Sequence, residues 1–188
     1  MTEIAGRVAF VTGGGSGIGR ALASALAVEG AAVVVADILD ENARAVAEEI
    51  GAAEGTAVAL ACDVSDRASV RQAKDEANAA LGPVSLLFAN AGVTSFQPLV
   101  EMSDDDIDWI IGVDLMGVVN CLTAFLPDMV AARDGHVCAT SSVAGLCAGW
   151  IPYHSAYSAA KLGVLGMMLN LRLELAELGV GASVLVPG

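Results

Sequence analysis

Six runs of strand length, apolar at nearly every position, are what most limit the fold of this chain. They are 7–13 (RVAFVTG), 31–37 (AAVVVAD), 55–64 (GTAVALACDV), 84–92 (VSLLFANAG), 135–142 (GHVCATSS) and 181–188 (GASVLVPG). A strand with one wet face alternates apolar and polar residues. These runs do not alternate, so both faces must be covered. Segments of helical period lie between them. Ile18, Leu22, Ala25 and Leu26 share one face of a helix over 18–29, and residues 40–50 are rich in Ala and Glu. Residues 66–81 end at Gly82-Pro83, a helix stop. Ser103, with Asp106 three residues on, is a capping signal that opens a helix through Met129. The last helix is expected from near Tyr157 to Leu178, stopped by Gly179. Strand and helix in alternation predict an α/β domain, a doubly wound parallel sheet of six strands with helices on both faces.

The 188 residues suit one domain, 1–188, and no repeat, low-complexity stretch or linker divides them. The chain stops at Val186-Pro187-Gly188, directly after a strand, where a closing helix is expected. It therefore reads as cut short at its C-terminus.

Composition excludes several classes of function. From Gly135 to Ala160 there is no charged side chain, but Thr140, Ser141, Ser142, Tyr153, His154 and Tyr157 make this stretch too polar for a membrane span. It reads as protein core. The formal charge of −13 argues against binding nucleic acid or an anionic membrane, both of which need a basic face. Cys62, Cys121, Cys138 and Cys147 form no CxxC pair and are expected to be reduced core residues, with no metal site. Met1 to Arg7 is short and polar, without a signal-peptide pattern, so the expected location is cytoplasmic.

The first strand runs into VTGGGSGIGR (11–20), where Gly13, Gly17 and Gly19 are spaced G-x-x-x-G-x-G. Glycines permit a tight turn, let backbone approach a pyrophosphate and let helix pack on strand. The following helix N-terminus offers free N–H groups to phosphate. A merely flexible turn is the alternative, and the placement between a buried strand and an amphipathic helix favours the nucleotide. Asp37 ends the second strand. A carboxylate there can accept from an adenosine ribose hydroxyl and repel a 2′-phosphate, or it can cap a helix. No Arg or Lys precedes Arg20 in the loop, so NAD is expected over NADP.

Hydride transfer to a nicotinamide needs a partner for the substrate's proton. His136 and His154 are isolated in sequence and read as a strand-edge or loop histidine each. Tyr157 and Lys161 stand at i and i+4, on one face of the last helix. Free tyrosine titrates near about 10, and a neighbouring ammonium favours tyrosinate. Tyr153 has no lysine four residues on and reads as pocket wall or core. Alternatively, Lys161 could simply lay its stem over an aromatic ring.

TGGGSGIG (12–19), Asp37, CDV (62–64), NAG (90–92), SSVAG (141–145), YSAAK (157–161) and VPG (186–188) occur in one order along the chain. In this combination the sequence resembles the short-chain dehydrogenase/reductase family of classical type, with a Rossmann-type fold. The resemblance implies that Tyr157 is the catalytic acid/base and that Lys161 lowers its pKa and holds the nicotinamide ribose. It implies that Ser142, rather than Ser141, holds the substrate oxygen. Gly13, Ser16, Gly17, Ile18 and Gly19 would cradle the cofactor. Asp63 and Val64 would flank its adenine, Asn90 and Gly92 its adenosine ribose, and Pro187 and Gly188 its nicotinamide. Without the family, Asn90-Ala91-Gly92 is a strand-ending turn.

The sequence departs from the family pattern in three places. VDLMG (113–117) puts Asp114 where the family carries asparagine, so Asp114 is a candidate member of the catalytic set. Ser142 stands fifteen residues before Tyr157, which lengthens the loop between them. Family members also continue well past the residue that is Gly188 here.

The leading expectation is an NAD-dependent oxidoreductase that interconverts a secondary alcohol and a ketone. The alternative is a catalytically weak nucleotide-binding module without a complete substrate site. A purely structural partner subunit comes third. By resemblance, Thr94, Phe96, Leu146, Trp150, Ile151 and Tyr153 line a mainly apolar substrate pocket. A homodimer or homotetramer is implied, joined through the helix of 103–129 and the last helix. There LGVLGMMLNL (162–171) is apolar on more faces than one sheet contact requires.

Overall fold

The computed structural model describes residues 3–147, 149 and 151–188. The six expected strands are all present: β1 (Val8–Thr12), β2 (Ala32–Asp37), β3 (Thr56–Ala61), β4 (Leu86–Ala89), β5 (Gly135–Thr140) and β6 (Val180–Leu185). All pair in parallel, in the order β3-β2-β1-β4-β5-β6. Most are shorter than the apolar runs, because the ends of those runs leave the sheet to build the loops of the site.

The central strands β1, β2 and β4 are buried on both faces, as unbroken apolar runs require. The edge strands β3 and β6 are only partly covered, and one face of β4, β5 and β6 borders an open hollow. Phe10, Val34, Ala36 and Leu87 point to one side. There they meet α3 (Arg67–Leu81), α5 (Gly117–Ala132) and α7 (Ser155–Glu174) through Val70, Phe125 and Met168. The Phe10 and Phe125 rings lie 4.8 Å apart. Ala9, Val11, Val33 and Val35 point to the other side, against α1 (Gly17–Val28) and α2 (Asp40–Ala52) through Ala23, Leu26, Val46 and Ile50. Each pair of large residues buried on such a face contributes several kcal/mol before entropy is counted, roughly 1.5–3 per side chain.

Helix boundaries differ from expectation in two places. The helix opened by Ser103 does form the reciprocal cap. Ser103 Oγ accepts from Asp106 N (3.1 Å), and Asp106 Oδ2 accepts from Ser103 N (3.0 Å). It is not one regular helix to Met129, however. It runs as α4 (Asp104–Ile111), then a π-helical turn (Gly112–Met116), then α5. A π-turn inserts one residue into the helical ladder and re-aims a side chain. The side chain it turns inward is Asp114, which is completely buried. By length and composition Asp104–Ala132 could cross a bilayer, but Val118, Leu122, Phe125 and Met129 pack on the sheet. The last helix ends at Glu174 rather than Leu178, and a turn carries the chain to Gly179, whose φ is +77°. A short helix not foreseen, α6 (Val143–Leu146), follows β5.

Candidate functional site

The strand order reverses between β1 and β4. Chain leaving β1 turns one way and chain leaving β4 the other, so a crevice opens at the C-terminal ends of the strands. A cavity of about 630 Å³ lies there. The turn after β1 contributes Gly13, Ser16, Gly17 and Ile18, and Asp37 closes β2. Asp63 and Val64 follow β3, and Asn90 and Gly92 follow β4. Tyr157 and Lys161 come from α7, and Pro187 from beyond β6. Gly19, Ser142, Asp114 and Gly188 do not line the cavity. Gly19 packs beneath it, where a Cβ would collide with the Gly13 carbonyl.

The two loops at the switch point are tied by Thr12. Its Oγ1 accepts from Asn90 N (2.9 Å) and Ala91 N (3.0 Å). Asn90 Nδ2 donates back to the Thr12 carbonyl (3.1 Å), and Thr140 Oγ1 donates to Asn90 Oδ1 (3.1 Å). Asn90 is thus more than a turn residue, since it joins the ends of β1, β4 and β5. Gly13, at φ +62°, approaches so closely that a Cβ would stand 2.9 Å from Ala91 Cα. The α1 helix begins at Gly17 with no acidic residue in its first turn, and the Ser16 side chain makes no cap bond. Its N-terminal donors are therefore open to an anion.

Asp37 is not a helix cap. Its Oδ2 accepts from Gly15 N (2.9 Å) and its Oδ1 from Leu39 N (3.0 Å), while Leu39 occupies the N-cap position of α2. The two bonds fix the carboxylate at the cleft wall, each oxygen keeping a further lone pair. Arg20 reaches away to Glu49 (2.9 Å) and does not offset this charge. After β3, Asp63 Oδ1 accepts from Ser65 N (2.9 Å). Asn120 of α5 braces the same turn, donating to the Val64 carbonyl (2.9 Å). The sequence reading missed Asn120. A lone amide in the apolar run of α5 was the available signal.

Around α7 the polar groups converge. Lys161, 3% exposed, forms an ion pair with Asp114 (Nζ–Oδ1 2.8 Å) and donates to the Thr140 carbonyl (3.2 Å). The Asp114 carboxylate also accepts from Val93 N (3.3 and 3.4 Å). Gly92 lies directly over this pair, where a Cβ would be 2.8 Å from Asp114 Oδ1 and 3.2 Å from Lys161 Nζ. Glycine is required there by close approach. Ser141 Oγ donates to the Lys161 carbonyl (2.7 Å), pinning α7 to β5. That leaves Ser142, whose Oγ accepts from Ala144 N (3.1 Å), as the hydroxyl that acts on the Tyr157 phenol.

The electrostatics correct one expectation. Lys161 Nζ stands 5.5 Å from the centre of the Tyr157 ring, yet the phenol is held above its ordinary range. Burial is the main cause; the Ser142 hydroxyl opposes it, and the Asp114 charge reinforces it. The ammonium that should favour tyrosinate is answered by the carboxylate beside it. Burial likewise pushes the Asp114 carboxyl up, against the pull of Lys161 and of Val93 N–H. Asp114, expected in the catalytic set, touches Lys161 and does not itself line the cleft.

His154, read as an isolated loop histidine, is instead 6% exposed and stacked on Tyr157 (ring centres 4.5 Å, 19°). Thr94 lines the cleft beside it. The other expected pocket residues are less central. Tyr153 is 59% exposed at φ +62° and, with Ile151, lines a separate shallow hollow. Leu146 and Phe96 are largely exposed, and Trp150 lies outside the described residues.

The sequence profile of the short chain dehydrogenases matches residues 7–188. The whole chain is 39% identical to a C alpha-dehydrogenase of Sphingobium sp., of which it spans 61%. Over 97% of its length it is 37% identical to a D-threitol dehydrogenase of Mycolicibacterium smegmatis, of which it covers 69%. A short-chain dehydrogenase/reductase from Burkholderia phymatum, solved with NAD, superposes with a TM-score of 0.95 at 37% identity. The match covers all of this chain and 67% of that one. A metagenomic short-chain oxidoreductase, solved with NADP, superposes at 0.92 and 38% identity, covering all of this chain and 84% of that one. This chain belongs to the short-chain dehydrogenase/reductase family of oxidoreductases.

Proposed function

We propose that the protein is an NAD-dependent oxidoreductase that interconverts a secondary alcohol and a ketone, with Tyr157 as acid/base. The observation that carries this reading is the placement of Tyr157 and Lys161 on the same cleft as the glycine turn and Asp37. Oxidation takes a proton from the alcohol oxygen and a hydride from the carbinol carbon. Tyr157, as tyrosinate, accepts the proton, and in reduction its phenol returns it. Ser142, whose hydroxyl acts on the Tyr157 phenol, holds the same substrate oxygen.

The residues present fit a dinucleotide. Gly13 and Gly19 leave room that side chains would fill, and the start of α1 offers unpaired N–H groups. In this reading Gly13, Ser16, Gly17 and Ile18 hold the pyrophosphate and Asp37 the adenosine ribose. Asp63 and Val64 flank the adenine, and Asn90 and Gly92 lie along the same ribose. Lys161 binds the nicotinamide ribose, with Pro187 and Gly188 beside its ring. The nicotinamide supplies the hydride acceptor or donor. NAD is favoured over NADP because Asp37 faces the cleft and Lys161 is the one cation among its described lining residues. The substrate pocket is mainly apolar. The protein works in the cytoplasm as a homodimer or homotetramer, without nucleic acid or membrane.

One observation favours a second reading, the catalytically weak nucleotide-binding module: Asp114 neutralises the ammonium that should activate Tyr157. Formation of NADH absorbance with a panel of secondary alcohols at alkaline pH decides between them. Turnover is expected. Tight NAD binding without turnover on any alcohol or ketone would establish the weak module.

A further inference from the structure

Among the described residues His154, which borders the hollow beside the cleft and stacks on the cleft's Tyr157, is the buried side chain whose hydrogen bonding is incomplete. It stacks between Phe96 (4.3 Å, 18°) and Tyr157, so it cannot swing out without breaking both contacts. Its Nε2 is 2.6 Å from Thr94 Oγ1. Its Nδ1 is enclosed and has no hydrogen-bond partner among the described residues. Burial lowers the imidazole's affinity for a second proton, opposed by the Asp114 charge, so the ring is neutral near pH 7 and carries one N–H.

Two tautomers are open to a neutral ring, and they differ in what they leave unpaired. With the proton on Nδ1, a buried N–H donor has no acceptor. With the proton on Nε2, the N–H is bonded to Thr94, and only a lone pair at Nδ1 is unmatched. Orphaned buried N–H donors are the rarer of the two arrangements. The proton therefore sits on Nε2, and Thr94 Oγ1 accepts it. A hydroxyl that accepts from histidine must send its own proton elsewhere. Thr94 is exposed, lines the cleft and makes no other hydrogen bond through Oγ1 among the described residues.

From this we infer that Thr94 is a specificity-determining residue, whose hydroxyl His154 orients as a fixed donor into the cleft, one imidazole ring away from Tyr157. The preferred substrate is accordingly a secondary alcohol or ketone with a second, hydrogen-bond-accepting oxygen close to the reacting carbon, in vicinal or 1,3 relation. This rests on the oxidoreductase reading of the cleft and adds one hydrogen-bond donor to the wall beside Tyr157. A single neutral hydrogen bond at a partly open site contributes about 0.5–1.5 kcal/mol, or roughly a 2- to 13-fold preference.

The test has two parts. In ¹⁵N-labelled protein near pH 7, the side-chain nitrogens of His154, assigned against His154→Gln, should show Nε2 protonated. Protonation at Nδ1 overturns the inference whatever the enzyme's activity. In kinetics, the ratio of kcat/KM for trans-1,2-cyclohexanediol over cyclohexanol should favour the diol several-fold. Thr94→Val should bring that ratio to about one, and Thr94→Ser should keep it. A ratio near one in the parent protein, or one unmoved by Thr94→Val, overturns the inference while leaving the oxidoreductase reading intact. If neither alcohol turns over, that reading fails. Binding of the same pair to the NAD-loaded protein then decides the inference, with equal affinities overturning it.

Discussion

Lys161 and Asp114 form a fully buried ion pair, 2.8 Å from Nζ to Oδ1, at the floor of the cleft that holds Tyr157. The pair joins α7 to the π-helical turn, and it sets the charge that the Tyr157 phenol meets. A carboxylate in this place opposes tyrosinate, so alcohol oxidation should have an alkaline optimum. Asp114→Asn removes the opposing charge, lowers the Tyr157 pKa and should move the acidic limb of kcat/KM downward, by up to about one pH unit. The pH profiles of both forms check this. An unmoved limb, or an upward shift, would falsify the electrostatic role. Asp114→Ala leaves the buried ammonium unpaired and should cost about 3–5 kcal/mol of stability in urea titration.

Tyr157→Phe should nearly abolish turnover while changing NAD affinity by no more than a few-fold, because the hydroxyl carries the proton but is one cofactor contact among many. Lys161→Ala should impair both. Tyr153→Phe should be mild, since Tyr153 is exposed and faces a separate hollow. Steady-state kinetics with cofactor titration separates the three. A larger loss in Tyr153→Phe than in Tyr157→Phe would mean the wrong tyrosine has been assigned.

NAD(H) should bind more tightly than NADP(H). Bringing a 2′-phosphate against the fixed Asp37 carboxylate costs about 2 kcal/mol or more, a factor of tens in Kd. The double change Asp37→Ala with Ile38→Arg should narrow the gap, since Ile38 is exposed at the same wall of the cleft. Equal dissociation constants in the parent protein would remove the basis for the preference.

Acid stability should depend on His154. Burial depresses its folded-state pKa below the ordinary 6.5. Between that lower value and about 6.5 the unfolded chain binds a proton that the folded chain does not. Stability should thus fall as pH drops from about 6.5 toward the depressed pKa, and level off below it. His154→Phe keeps an aromatic ring in the stack and removes this titration. Its urea midpoint should fall less between pH 7 and 5.5 than that of the parent. His136, also depressed by burial, remains in both proteins and cancels in the comparison.

A homo-oligomer should form through α7 and its neighbour α4. Leu162, Leu169 and Leu173 are 50%, 53% and 76% exposed and, with Gly166, follow a four-three-four spacing along one stripe of α7. A contiguous apolar stripe of this kind is ordinarily covered. Light scattering at micromolar concentration should show a dimer or tetramer, and Leu169→Glu should dissociate it. A monomeric parent protein counts against the interface.

The parts of this protein legible from sequence are those set by local periodicity. Six uninterrupted apolar runs mark the six strands of a sheet packed by helices, and the glycine spacing at 13, 17 and 19, between strand and helix, favours a turn under close approach. Tyr157 and Lys161 share a helix face because they are four residues apart. These relations are carried by backbone geometry within one element or its junction, so neighbouring residues suffice to state them. The tertiary structure decided the rest, and for a common reason. Asp114 meets Lys161 across 47 positions, Thr94 meets His154 across 60, and Asn120 reaches Val64 across 56. Those distances close only once the strand order is set and the π-turn has rotated Asp114 inward. Whether a buried ammonium activates a tyrosine or is answered by a carboxylate depends on a few ångströms between separate elements. No spacing along the chain encodes that separation.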